Sequence, residues 1–212
     1  MRNDPITSDE ALYEAWRAGD RQAGHTLFDR HFDSIYRFFE SKAHGDVSDL
    51  VQRTFLGCVE ARDRFRGASS FRTFLFAVAR HELSAHFRSR RRGAVVDFGV
   101  SSVADLAPGP SSFARQRSER AALGDALRSL PVDLQIAIEL RFWESLSGPD
   151  LAVVLEVPEG TVRSRLRRAL EALRAALGAT TAGQKLCGGP AEDLEEWATR
   201  LHDETMGGLD DA

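Results

Sequence analysis

Apolar residues in this chain recur at intervals of three and four, and strand-type alternation persists nowhere. Ser8 or Asp9 can cap a short first helix carrying Leu12 and Trp16, and Gly19-Asp20 breaks it. The next helix carries Leu27, Phe28, Phe32, Ile35, Tyr36 and Phe39, a band broad enough for a bundle core, before Gly45-Asp46 interrupts it. A third helix over 48–64 turns Val51, Phe55, Cys58 and Val59 inward. A fourth, capped at Ser69 or Ser70, runs over 71–90 with Phe71, Phe74, Leu75 and Val78 inward. Arg72, Thr73, Phe76, Arg80 and Phe87 fall mostly on its other side.

Helical spacing returns over 113–130, and Pro131 opens a helix carrying Leu134, Ile136, Ile138, Leu140, Phe142 and Trp143. Ser147 can cap the next one, with Asp150 at the capping-box position and Pro149 in the first turn. Val157-Pro158-Glu159-Gly160 then turns the chain into a helix striped by Val162, Leu166, Ala169, Leu170, Leu173 and Leu177. The expected fold is all-α: two helical bundles joined by a flexible linker, the C-terminal one containing a helix-turn-helix. The bundles are expected at 9–92 and 115–177. The segment 93–114 lacks periodicity and is punctuated by Gly99, Ser101, Ser102, Pro108, Gly109 and Pro110, so it reads as the linker. Residues 178–212 are expected as an acidic extension, largely disordered or weakly helical. Leu194, Trp197 and Leu201 lie on one side of a weak helix there.

Charge sharpens the picture because it is segregated, although the formal net charge is only −4. From Arg62 to Arg92 there are nine arginines against two acids, whereas from Ala179 onward there are eight acids against Lys185 and Arg200. Basic binding surfaces followed by an acidic tail fit that asymmetry. Cys58 and Cys187 form no CxxC pair, and His81 and His86 face different sides of one helix, so no metal is expected. No phosphate loop, HExxH, GxSxG or paired-carboxylate motif appears, so neither an enzyme nor a cofactor is expected. With no long apolar run and no signal-peptide segment, a cytoplasmic protein without a membrane span is expected.

Three surfaces carry candidate chemistry. On the third helix Asp49, Gln52, Arg53, Leu56 and Glu60 share a face, either a solvated one with a stray leucine or a docking surface. Around the fourth helix, arginines interleave with aromatic residues and then cluster at Arg88, Arg90, Arg91 and Arg92. Part of that cluster suits the helix dipole. The interleaving suits single-stranded nucleic acid, phosphates for arginines and unstacked bases for rings. On the last strong helix, arginines and hydroxyls oppose the leucine stripe, the arrangement that meets a DNA major groove.

Together, the block DLVQRTF…RFRGASSFRTFL at 49–75 and the helix-turn-helix at 130–177 resemble the extracytoplasmic-function (ECF) sigma factors of the sigma-70 family. These are small initiation subunits of bacterial RNA polymerase. The resemblance spans about residues 9–177. It implies a sigma factor whose second region docks on core RNA polymerase and opens the minus-ten element, while its fourth reads the minus-thirty-five element. The matching polymerase-binding residues are Asp49, Gln52, Phe55 and Leu56. Those matching promoter opening are Arg64, Arg66, Ser69, Phe71, Thr73, Arg80, Arg88 and Arg91. Those matching duplex reading are Glu159, Thr161, Arg163, Ser164, Arg165, Arg167 and Arg168. Implied partners are core RNA polymerase, promoter DNA as duplex and melted strand, and an anti-sigma factor or self-regulation by the acidic extension. Arg53, His81, Ala85, Phe74 and Gly148-Pro149 depart from the family pattern. Two other readings are a stand-alone helix-turn-helix regulator, whose first unit would dimerise or sense, and a sigma-like decoy that binds regulators.

Overall fold

The computed structural model describes residues 8–43, 47–62, 69–90, 96–106, 119–188 and 193–206. The chain divides into two compact units, 1–94 and 95–212. Among the described residues all regular structure is helical, apart from one isolated bridge between Ser102 and Pro131.

The first unit contains α1 (Asp9–Arg17), α2 (Arg21–Glu40), α3 (Ser48–Ala61) and α4 (Phe71–Arg90). Ser8 caps α1 by accepting from the Ala11 N–H, and Asp20 caps α2 through the N–H groups of Gln22 and Ala23. Between them Gly19 adopts a φ of +106°, which a side chain would strain. Helix α1 lies on α2 where Gly24 leaves room for the Trp16 indole; a Cβ there would sit 2.4 Å from Trp16 Cδ1. Tyr13, Trp16, Phe28 and Phe71 form an aromatic cluster, and the Tyr13 hydroxyl donates to the Arg62 carbonyl at 2.6 Å. Ser70 caps α4 by accepting from the Thr73 N–H at 3.1 Å.

Two inward faces differ from the sequence expectation. In α4 Thr73, Phe76 and Phe87, assigned outward, are in the core with Phe71 and Leu75, whereas Phe74 and Val78, assigned inward, are half-buried. The face that buries follows Leu75, Phe76, Ala79, Leu83 and Phe87 at helical spacing, rotated from the expected one, and His81 on the far side is exposed. On α2 and α3 the expected apolar band is wider than the face that buries. Leu27, Ile35, Phe38 and Phe39 fill the core, whereas Phe28, Tyr36 and Phe55 are half-buried and Phe32 and Val59 are exposed.

The second unit contains α5 (Val103–Leu106), α6 (Glu119–Ser129), α7 (Val132–Ile138, continuing as a π-helical turn Glu139–Trp143), α8 (Gly148–Leu155), α9 (Glu159–Gly178), α10 (Thr181–Gln184) and α11 (Leu194–Met206). Two segments depart from the sequence reading. Residues 96–106, expected within a flexible linker, pack on this unit through buried Phe98, Val103 and Leu106. Short loops can hide an apolar anchor at spacing too irregular to register as periodicity. Residues 107–114 lie outside the described residues.

The acidic extension, expected as largely disordered or weakly helical, also packs. Helix α11 buries Trp197, Ala198 and Leu201 in one cluster with Leu134 and Ile138 of α7, Leu170, Leu173 and Leu177 of α9, and Leu186. The Arg174 guanidinium lies over the Trp197 ring, 4.6 Å from its centroid.

Candidate functional site

The helix-turn-helix is built as its sequence suggests. Ser147 and Asp150 form a capping box around the first turn of α8, with Pro149 where no N–H is needed. Glu156 ends α8 in the left-handed region at φ 54°, and Pro158 starts α9. The residues of α9 that bury are Val162, Leu166, Ala169, Leu170, Leu173 and Leu177, the full expected stripe. Opposite them Glu159, Arg163, Ser164, Arg167 and Arg168 are exposed and Thr161 is half-buried. Arg167 pairs with Glu171 at 2.9 Å in a solvated ion pair one turn apart, which constrains it little.

Arg165 is the exception in the duplex-reading set. Its Nη1 lies 3.2 Å from Oδ2 of Asp133, a carboxylate 9 % exposed on α7, and its own side chain is 22 % exposed. It sits at the margin of the stripe, where α9 turns toward α7, so its charge is spent inside the unit.

The polar face of α3 is exposed and borders an apolar groove. Asp49, Gln52 and Leu56 are exposed, as is Arg53, which pairs with Asp49. Behind them Phe28, Phe32, Val51, Phe55, Leu56 and Val59 line an apolar groove between α2 and α3. The Phe28 and Phe55 rings stack at 4.8 Å, and Phe32 is 45 % and Leu56 51 % exposed. Helical spacing alone places Phe32 and Val59 with the core. The available signal was the width of the α2 band, since Phe28, Phe32 and Tyr36 repeat every four residues beside a second row that already fills the core.

The promoter-opening set is reshaped most. Phe71 is buried against Tyr13, Phe28, His31 and Phe74, and Thr73 is buried with its hydroxyl 2.8 Å from that of Ser70. Neither side chain is accessible to a base, and Phe76 and Phe87, two of the interleaved rings, belong to the core. Arg88 is exposed, while Ser69 and Arg80 are half-buried. Arg64, Arg66 and Arg91 lie outside the described residues. Near the end of α4 His86 approaches Arg90 at 3.4 Å. Burial lowers its pKa, and Arg90 and Arg53 lower it further against a smaller opposing effect of Asp49.

No group of histidine, cysteine or acidic side chains among the described residues could hold a metal ion. No described helix is long and apolar enough to cross a membrane.

A helical unit with an apolar groove, accompanied by a helix-turn-helix that buries its leucines and exposes its arginines, defines a DNA-binding transcription protein. The family model described as "Sigma-70 region 2" matches residues 27–93, and "Sigma-70, region 4" matches residues 120–173. The chain is 32 % identical over 176 residues to the ECF RNA polymerase sigma-E factor of Escherichia coli strain K12, covering 78 % of this chain and 92 % of that one. It is 32 % identical over 180 residues to the RNA polymerase sigma-H factor of Pseudomonas aeruginosa, covering 80 % and 93 %. Among solved structures it resembles CnrH in complex with the cytosolic domain of CnrY, with a TM-score of 0.61, 26 % identity, and 81 % and 97 % of the two chains covered. It also resembles RpoE of Bartonella quintana in complex with the anti-sigma factor NepR, with a TM-score of 0.53, 26 % identity, and 69 % and 91 % covered. The chain belongs to the ECF RNA polymerase sigma factors, and its function is to direct promoter-specific transcription initiation.

Proposed function

We propose that the two units divide this work among named surfaces. The α2–α3 groove, fronted by Asp49, Gln52 and Leu56, docks on core RNA polymerase. An apolar patch rimmed by polar residues is the anatomy of a protein interface. Helix α9 enters the major groove of the minus-thirty-five element and presents Glu159, Thr161, Arg163, Ser164, Arg167 and Arg168. The observation that carries this is the complete burial of its leucine stripe beside an exposed row of arginines and a hydroxyl. Each arginine meets either a phosphate, which makes affinity salt-dependent, or a guanine edge, which discriminates bases by ~1–3 kcal/mol.

The minus-ten element is opened by the α4 end of the first unit, with Ser69, Arg80 and Arg88 as the described contributors. Arg64, Arg66 and Arg91 complete that assignment from the sequence. The chain works in the cytoplasm without catalytic chemistry of its own. An anti-sigma factor is a further partner, supported by two structural relatives that are complexes with such a factor or with a cytosolic domain.

Neither the stand-alone regulator nor the decoy is favoured by any observation. Initiation from a promoter library by core polymerase plus this chain tests the reading. Transcripts from promoters that core alone ignores are expected, and Arg163→Ala and Arg168→Ala weaken output at those promoters. Absence of initiation across the library would overturn it.

A further inference from the structure

The pairing of Arg165 with Asp133 has a second half, at the N-terminus of α7. Helix α7 begins at Pro131, which offers no side-chain cap. Its first amides are taken instead by the loop at 97–102: the Val132 N–H donates to the Ser101 carbonyl at 2.9 Å and the Asp133 N–H to the Phe98 carbonyl at 3.0 Å. The loop is itself held. The Asp97 carboxylate accepts from the Gly99 N–H at 2.8 Å, its carbonyl accepts from the Ser101 N–H at 2.8 Å, and the Phe98 ring is buried. Asp133 is thus fixed through its backbone by one segment and holds Arg165 of α9 through its carboxylate.

We propose that Asp133 is a positioning residue for duplex reading, setting the roll of α9 through Arg165, with 97–102 as the strut that keeps Asp133 in register. This rests on the reading of α9 as the duplex-facing helix. A leucine stripe sets the depth of a helix but tolerates rotation about its axis, because dispersion contacts are not directional. At a side-chain radius of about 5–6 Å a roll of about 10° moves a contacting group by roughly 1 Å. Recognition geometry is held to within about 0.5 Å, so such a roll blurs base discrimination. A directional tether from a carboxylate with little exposure to the margin of the stripe removes that freedom. Backbone contacts to phosphate tolerate the same displacement far better than base contacts do.

The test uses the full chain assembled with core RNA polymerase on promoters randomised in the upstream element. Base discrimination, the slope of log affinity against log salt, and the thermal midpoint are measured together. Asp133→Asn and Arg165→Gln are each expected to flatten discrimination by about fivefold to tenfold with the salt slope unchanged. The double variant is expected to match either single one, as residues acting as a unit do. Restoration of discrimination by the charge exchange Asp133→Arg with Arg165→Asp would support the tether directly. The proposal is overturned if Arg165→Gln reduces the salt slope by about one while Asp133→Asn leaves discrimination intact, which makes Arg165 a phosphate contact. It is also overturned if both variants lower the midpoint and leave discrimination unchanged. Arg168→Ala serves as the reporter of α9 itself. If it alters neither discrimination nor salt slope, the assignment of α9 as reader fails, and this proposal with it.

Discussion

The indole N–H of Trp197 donates to the carbonyl of Leu186 at 2.7 Å in the interior of the second unit. A buried indole needs a partner for that proton, and this one closes α11 over the stripe of α9. Residues expected as a largely disordered or weakly helical extension are therefore part of the unit's core. Trp197→Ala is expected to destabilise the second unit by about 3–5 kcal/mol, the range for emptying a large aromatic site. Truncation after Leu177 is expected to do the same or more, since it bares Leu173 and Leu177. Urea unfolding followed by circular dichroism measures both, and an unchanged midpoint would return α11 to the status of an appendage. With α11 in place Arg163, Arg167 and Arg168 are exposed, and Glu204 pairs with Arg200 of its own helix.

The α2–α3 groove yields a prediction of opposite character. Phe32 and Leu56 are exposed, so Phe32→Asp and Leu56→Asp are expected to change stability by no more than about 0.5 kcal/mol. Both place a charge at the centre of the proposed interface, where truncating an anchor costs about 2 kcal/mol or more, roughly thirtyfold in affinity. Competition for core polymerase against the unaltered chain measures this. Equal competition would remove the groove from the docking surface.

His86 links pH to the first unit. Its folded pKa lies below the ordinary 6.5, chiefly from burial and then from Arg90 and Arg53. Below that value the unfolded chain takes up the proton first, so the contribution to stability is present above about pH 6.5 and is lost as pH falls toward the folded pKa. Urea titrations between about pH 7.5 and 5 are expected to show a decline that His86→Asn reduces. Identical slopes for the two proteins would dismiss His86 as the titrating group.

The thiols should separate cleanly. Burial pushes the Cys58 pKa up to about 12, so almost no thiolate exists at neutral pH, whereas Cys187 is half-buried. In a Cys187→Ser variant, a thiol reagent at about pH 8 is expected to leave Cys58 unmodified until the protein is unfolded. Stoichiometric labelling of Cys58 in the folded state would contradict its placement in the core.

How much was legible in advance depended on how many neighbours each helix meets. The α9 stripe and the α8 capping box were legible because each depends on residues within a turn or two of one another. The rims of α2 and α3 were half legible. Periodicity marked Phe32 and Val59 as apolar and could not say that the core had already been filled by Leu27, Ile35 and Phe39. The promoter-opening set was least legible: helical spacing already turned Phe71 inward, whereas Thr73, placed outward, is buried by the packing of its bundle.

By itself, then, the sequence determined an all-α chain, its helix-turn-helix and the family to which it belongs, since capping, helical spacing and motif order are local properties of the chain. Tertiary structure alone decided that Arg165 faces Asp133 while Arg163, Arg167 and Arg168 face solvent. It also decided that Trp197 belongs to the core and Phe32 does not. The reason is common to all of them. A side chain's chemistry is written in its type, but whether it meets solvent, a buried carboxylate or another ring depends on residues far away in sequence that share its volume.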